Sequence, residues 1–211
     1  KRLAEAGELQ FRVYEVLEGT DRDAVEHYLV NGPEIGLFDG RITVRAIKLY
    51  ADGALGSRGA ALIAPYSDDP GNRGLTLTDA EEMEMATRRA IEKGFQLCVH
   101  AIGDRANSMV LSAFDKGFKS LNVNGKERRF RVEHAQVLDP ADIPRFAQLG
   151  VIPSMQPTHC TSDMPWAVER LGPERSRGAY AWRSLITAGS IIPAGSDAPV
   201  EDPSVLAGIY A

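Results

Sequence analysis

Cysteine is nearly absent from this chain of 211 residues: there are two, Cys98 and Cys160. They have no C-x-x-C spacing and form no disulfide framework, so an intracellular, cytoplasmic setting is expected. Lysine and arginine gather into no cluster or stripe, and the formal net charge is −5. That balance argues against nucleic acid or an anionic membrane as the main partner and is compatible with a small neutral or cationic substrate. No apolar run approaches the roughly 18 residues of a membrane span, and no charged segment leads into a signal-like apolar one. No repeat, low-complexity tract or Gly/Ser linker divides the sequence, so residues 1–211 read as one domain. Histidine is scarce too, with only His27, His100, His134 and His159, so their positions carry information.

Hydrophobic residues make up 44% of the chain, enough for one core or for part of a larger α/β architecture. Six β-like runs are present: FRVYEVL (11–17), VRAIKLYADG (44–53), FQLCVHAIGD (95–104), RFRVEHAQ (129–136), GVIPSMQPTH (150–159) and SIIPAGSDAP (190–199). Helical patterns separate most of them. Residues 77–94 predict a helix with Thr78 as N-cap, Glu81 as its capping-box partner and Gly94 as its stop. Asn107–Phe118, Asp139–Leu149 and Ala179–Ala188 carry further helices, the last two ended by Gly150 and Gly189. Strand, loop and helix in alternation specify parallel strands with the helices outside. The Pro/Gly-rich stretch 64–74 reads as a long loop between a strand and a helix. The sequence begins at Lys1 without an initiator Met and ends in mid-pattern at Tyr210-Ala211, so a segment of a longer protein is expected.

Four of the strand-like runs deliver one ionisable group each: Lys48, His100, His134 and Asp197. Strands that curl into a barrel bring such groups together at their C-terminal rim. Two imidazoles with carboxylates are a usual ligand set for zinc and similar ions, and an open coordination position holds a reactive water. An ammonium has no lone pair, so Lys48 joins such a site only when deprotonated or converted by carbon dioxide to a carbamate. The plainer alternatives are a core histidine bonded to a carbonyl, an aspartate capping a turn, and a lysine paired with Asp52.

IKLYADGALGSRGA, CVHAIGDRAN, FRVEHAQ, SMQPTHCTSDMPWAVERLGPERSRGAYAWRSL and PAGSDAPVEDP, in this order, closely resemble the third amidohydrolase subgroup, which includes N-substituted formamide deformylases and other metal-dependent hydrolases. The resemblance runs over nearly the whole chain. It implies a distorted (β/α)8 TIM-type barrel holding one or two divalent metals, usually zinc, at the C-terminal ends of its strands. His100 matches the fifth-strand ligand, His134 the sixth-strand ligand, and Asp197 the eighth-strand aspartate that contacts metal and accepts the proton of water. Lys48 matches the fourth-strand lysine, carbamylated where it bridges two metals. His159 matches a seventh-strand position facing the substrate. The implied activity is hydrolysis of a C–N bond in a small amide or N-formyl substrate.

The family opens its barrel with an H-x-H pair, and this chain has none; His27, in the polar DRDAVEHYLV, reads as a surface residue. The chain is therefore expected to hold a partial barrel, approximately strands three to eight, without the first strands and the β-sandwich. Such a chain is expected to self-associate through its open edges. Two other classes stay open: a Schiff-base lyase or aldolase using Lys48, and a non-catalytic barrel fragment. Asp104 and Arg105 are candidates for orienting ligands, Trp166, Tyr180 and Trp182 for lining a pocket, and Arg58, Arg73 and Arg170 for binding a carboxylate.

Overall fold

The computed structural model describes residues 1–211. In chain order its main elements are β1 (Val13–Glu18), α1 (Arg22–Asn31), β2 (Glu34–Gly36), β3 (Ile42–Tyr50), α2 (Ala80–Lys93), β4 (Gln96–Ala101) and α3 (Asp104–Ser120). Then follow β5 (Arg131–His134), α4 (Ile143–Leu149), β6 (Ile152–Ser154), α5 (Pro157–Asp163), α6 (Ala167–Arg175), α7 (Trp182–Thr187) and α8 (Val205–Tyr210). Strands β1, β3, β4, β5 and β6 pair in that order, all parallel, and β2 adds a short antiparallel pairing to β3. This is a partial (β/α)8 barrel.

Alternation along the strands divides the sheet. Ile47, Leu97, Val99 and Val132 join Met83, Leu111, Phe114, Phe130 and Phe146 in one apolar cluster under the helices. The residues between them lie on the other face, where register aligns Lys48 with Cys98 and Arg131, and Tyr50 with His100 and Glu133. Chemistry and packing thus occupy opposite faces of the same strands.

Helix α2 is capped by Asp79, one residue later than the sequence predicts. The Asp79 carboxylate accepts from Glu82 N–H at 2.8 Å, whereas Thr78 Oγ1 donates to the Tyr50 carbonyl. The helix ends as expected at Gly94, in the left-handed region. Asp79→Ala should cost about 1 kcal/mol, read as a lower urea midpoint with unchanged slope.

The last β-like run, 190–199, does not form a strand. Its pairing with the sheet is one parallel bridge, Met155 to Ala194, with Met155 N–H donating to the Pro193 carbonyl and Gly195 N–H to that of Met155. Pro193 and Pro199 have no N–H to donate, and residues 193–195 and 197–200 are exposed, so a longer ladder lacks both donors and packing. The run 150–159 is also shorter as a strand than expected. Pro157 starts helix α5 at a position where its missing N–H costs nothing.

The loop between β3 and α2 is packed. Leu55, Ala60, Leu62 and Tyr66 form a second apolar cluster with Ile102, Val137 and Leu171. Gly103 is required where this loop crosses the turn after β4, because a Cβ there would lie 2.0 Å from the Ala61 carbonyl oxygen.

Candidate active site

His100 and His134 end adjacent parallel strands, and their ring centroids are 4.6 Å apart. Register alone does not explain this meeting. Glu133 stands opposite His100, so strict alternation would place His134 on the other face. The strand escapes its own alternation at the end: His134 has φ 74° and Ala135 φ 44°, a left-handed turn that swings the imidazole across. Tyr180 (φ 50°) and Asp197 (φ 56°) share this conformation. Each such residue costs about 1–3 kcal/mol, and such strain collects at functional sites.

Both rings are held neutral. Burial, then the neighbouring His134 and Lys48, push His100 down to about 4; burial likewise brings His134 to about 4, against its hydrogen bond to Gln156. His134 Nδ1 lies 2.8 Å from Gln156 Oε1, and no hydrogen bond occupies its Nε2. His100 Nε2 is 3.5 Å from the Gly53 carbonyl and 3.5 Å from Asp52 Oδ1.

His159 sits on helix α5, not on a strand as expected. The helix still brings its ring, nearly parallel, to 5.8 Å from that of His134. Its Nε2 is buried without a hydrogen-bond partner. Lys48 is half-buried with Nζ 5.1 Å from the Tyr50 ring centroid, and its charge bears on both His100 and His134. Asp197 is exposed, and its charge acts on His100 and Tyr50. His27 is a surface residue, as expected.

Asp52 is not the partner of Lys48. It is 1% exposed, and its carboxylate accepts from the N–H groups of Ala61 (2.8 Å), Ile102 (2.9 Å) and Gly103 (2.8 Å). Burial raises it to about 6, against the pull of these three donors. Asp104 holds the same loop by accepting from Ile63 N–H at 2.8 Å, and Arg105 N–H donates to the Ala61 carbonyl. The arginine candidates are clamps as well. Arg58 and Arg170 both pair with Asp68, Arg73 donates to the Ile63 carbonyl, and Arg170 lies over the Trp166 ring. Trp182 packs on the main apolar cluster.

Tyr180 belongs to a network that the sequence does not announce. Gln136 Nε2 donates to Asp163 Oδ2 (2.7 Å) and to the Tyr180 hydroxyl (2.8 Å), and that hydroxyl donates to the same carboxylate oxygen. The network ties the helix bearing His159 to the end of β5. Burial pushes the Tyr180 hydroxyl up, and the Asp163 carboxylate adds to the shift.

The donor set suits a divalent metal in part. Two neutral imidazoles meet edge to face, each with one ring nitrogen within hydrogen-bond distance of an oxygen, which is how metal-binding histidines are oriented. No group of three or more His, Cys, Asp and Glu side chains gathers closely enough to hold an ion with this chain's residues alone.

The profile of the Amidohydrolase family matches residues 1–211. YtcJ of Bacillus subtilis (strain 168) is 44% identical over 164 residues, 78% of this chain and 30% of that protein. Protein LONG AFTER FAR-RED 3 of Arabidopsis thaliana is 39% identical over 158 residues, 74% of this chain and 27% of that protein. An uncharacterized metal-dependent hydrolase from Pyrococcus furiosus superposes with a TM-score of 0.84 at 30% identity, covering 99% of this chain and 41% of that one. The chain thus spans less than a third of either curated relative. With the whole length matched and the histidine pair at the rim of a partial barrel, the chain belongs to the amidohydrolase family.

Proposed function

We propose that the protein of which this chain carries the barrel rim is a metal-dependent hydrolase that cleaves a C–N bond, in an amide or N-formyl substrate of the kind acted on by formamide deformylases. One observation carries the reading: two neutral imidazoles, 4.6 Å apart, at the ends of adjacent parallel strands. His100 and His134 would hold the metal, probed first as zinc, with further ligands from outside residues 1–211. When bound, a divalent metal makes water a nucleophile at neutral pH and polarises a carbonyl oxygen.

The remaining steps belong to the chain's own groups. Asp197, exposed and with its charge acting on His100, takes the proton of the attacking water and returns it to the leaving nitrogen. His159, whose Nε2 is buried and without a partner, donates a hydrogen bond to the substrate carbonyl once that nitrogen is uncovered. Lys48 lies close enough to affect both histidines and, as a carbamate, would supply a carboxylate-like ligand to a second ion.

The test is metal removal from the longer protein with an N-formyl amine as substrate. Chelation should abolish at least about 99% of turnover, and zinc should restore it. A chelator-insensitive enzyme that borohydride traps as a substrate adduct on Lys48 would instead be a Schiff-base lyase.

A further inference from the structure

We propose that Gln156 is a positioning residue: its side-chain oxygen fixes His134 as the Nδ1–H tautomer and keeps the Nε2 lone pair free. The consequence for metal binding rests on the reading of His134 as a ligand; the tautomer assignment does not.

Gln156 lies two residues beyond the end of β6 and is 8% exposed. Its Oε1 lies 2.8 Å from His134 Nδ1, and its Nε2 lies 3.4 Å from the Ser154 carbonyl oxygen. These two contacts set the direction of the amide. A carbonyl oxygen only accepts, so the end of Gln156 facing Ser154 must be the –NH2. The other end is then an acceptor, and the ring nitrogen facing it must carry a proton. A neutral imidazole has one such proton, so placing it on Nδ1 leaves Nε2 unprotonated. Turning the amide over would set two oxygens against each other at Ser154 and bring an N–H2 against Nδ1. Gln156 therefore selects one of two tautomers that the ring would otherwise sample, and it does so without touching the reacting atoms.

Because the chain has four histidines, 15N-histidine labelling with long-range 1H–15N correlation can read each tautomer in metal-free protein. His134 in the wild type should be protonated at Nδ1. Gln156→Met, similar in length but without an acceptor, should move His134 toward the Nε2–H form. Gln156→Glu keeps an acceptor oxygen toward Nδ1 and, with its second oxygen turned from the Ser154 carbonyl, should restore the proton on Nδ1. Circular dichroism establishes that each variant is folded. In zinc titrations of the same substitutions carried in a protein that also holds the remaining metal ligands, the Met variant should bind about 10- to 100-fold more weakly than wild type and the Glu variant should recover most of the loss. A wild-type His134 protonated at Nε2 overturns the proposal with no variant needed, and so does a folded Met variant whose tautomer is unchanged. If the wild-type protein that holds the remaining ligands binds no zinc while the tautomers behave as stated, the ligand reading of His134 falls and the positioning role stands.

Discussion

Asp197→Asn in the longer protein is expected to lower kcat for an amide substrate by about 10²- to 10⁴-fold, the range for loss of a general base. The substitution isolates proton transfer from structure. Asp197 has φ 56°, a left-handed conformation that asparagine adopts as readily as aspartate, so the backbone has no reason to move. Its side chain makes no hydrogen bond within the chain and is exposed, so folding stability should stay within about 0.5 kcal/mol. Steady-state kinetics with zinc content measured in parallel decides the matter. Near-normal turnover with full metal would remove Asp197 from the mechanism, whereas parallel loss of zinc and activity would make it a ligand and not a base.

The second large effect is on stability. Asp52→Ala removes the acceptor of three N–H groups, those of Ala61, Ile102 and Gly103, in a region closed to water. Each orphaned donor costs about 1–3 kcal/mol, so a total loss of about 4 kcal/mol is expected. For a chain of this size that corresponds to a fall in Tm of about 10 °C. Asp52→Asn should fall between, since its amide keeps one oxygen to accept but turns an N–H2 toward a backbone donor. A Tm within about 2 °C of wild type for the alanine variant would show that water satisfies these groups and that Asp52 does not hold the loop.

How much of this was legible beforehand depends on which force fixes each element. Strands β3, β4 and β5 and helix α2 stand out because their apolar periodicity reflects burial, and burial is what stabilises them. His100 and His134 were found by their place at the ends of such runs. Their actual meeting depends on the left-handed turn at His134-Ala135, which has no glycine or asparagine to signal it. The stretch 190–199 reads as a strand from Ile191 and Ile192, yet its prolines leave it one bridge. The run 150–159 and the family resemblance both place His159 on a strand, whereas Pro157 opens a helix there. From the sequence Asp52 reads only as a partner for Lys48, since nothing there shows that a carboxylate will be satisfied by backbone N–H groups. Gln136 and Gln156 give no signal in the sequence for the same reason: each is a neutral amide whose role exists only through its neighbours.

The packed loop between β3 and α2 has a mechanical consequence. Though nearly devoid of regular structure, it is fastened by its own Asp52 to the turn after β4, by Asp104 at the start of α3 and by Arg170 and Arg175 from helix α6, with an apolar cluster beneath. It belongs to the stiff part of the molecule. The compliant part is 191–204, attached to the sheet through one bridge and exposed along most of its length. Movement at the rim is therefore expected on the side that carries Asp197, while the histidine pair stays on a wall that does not yield.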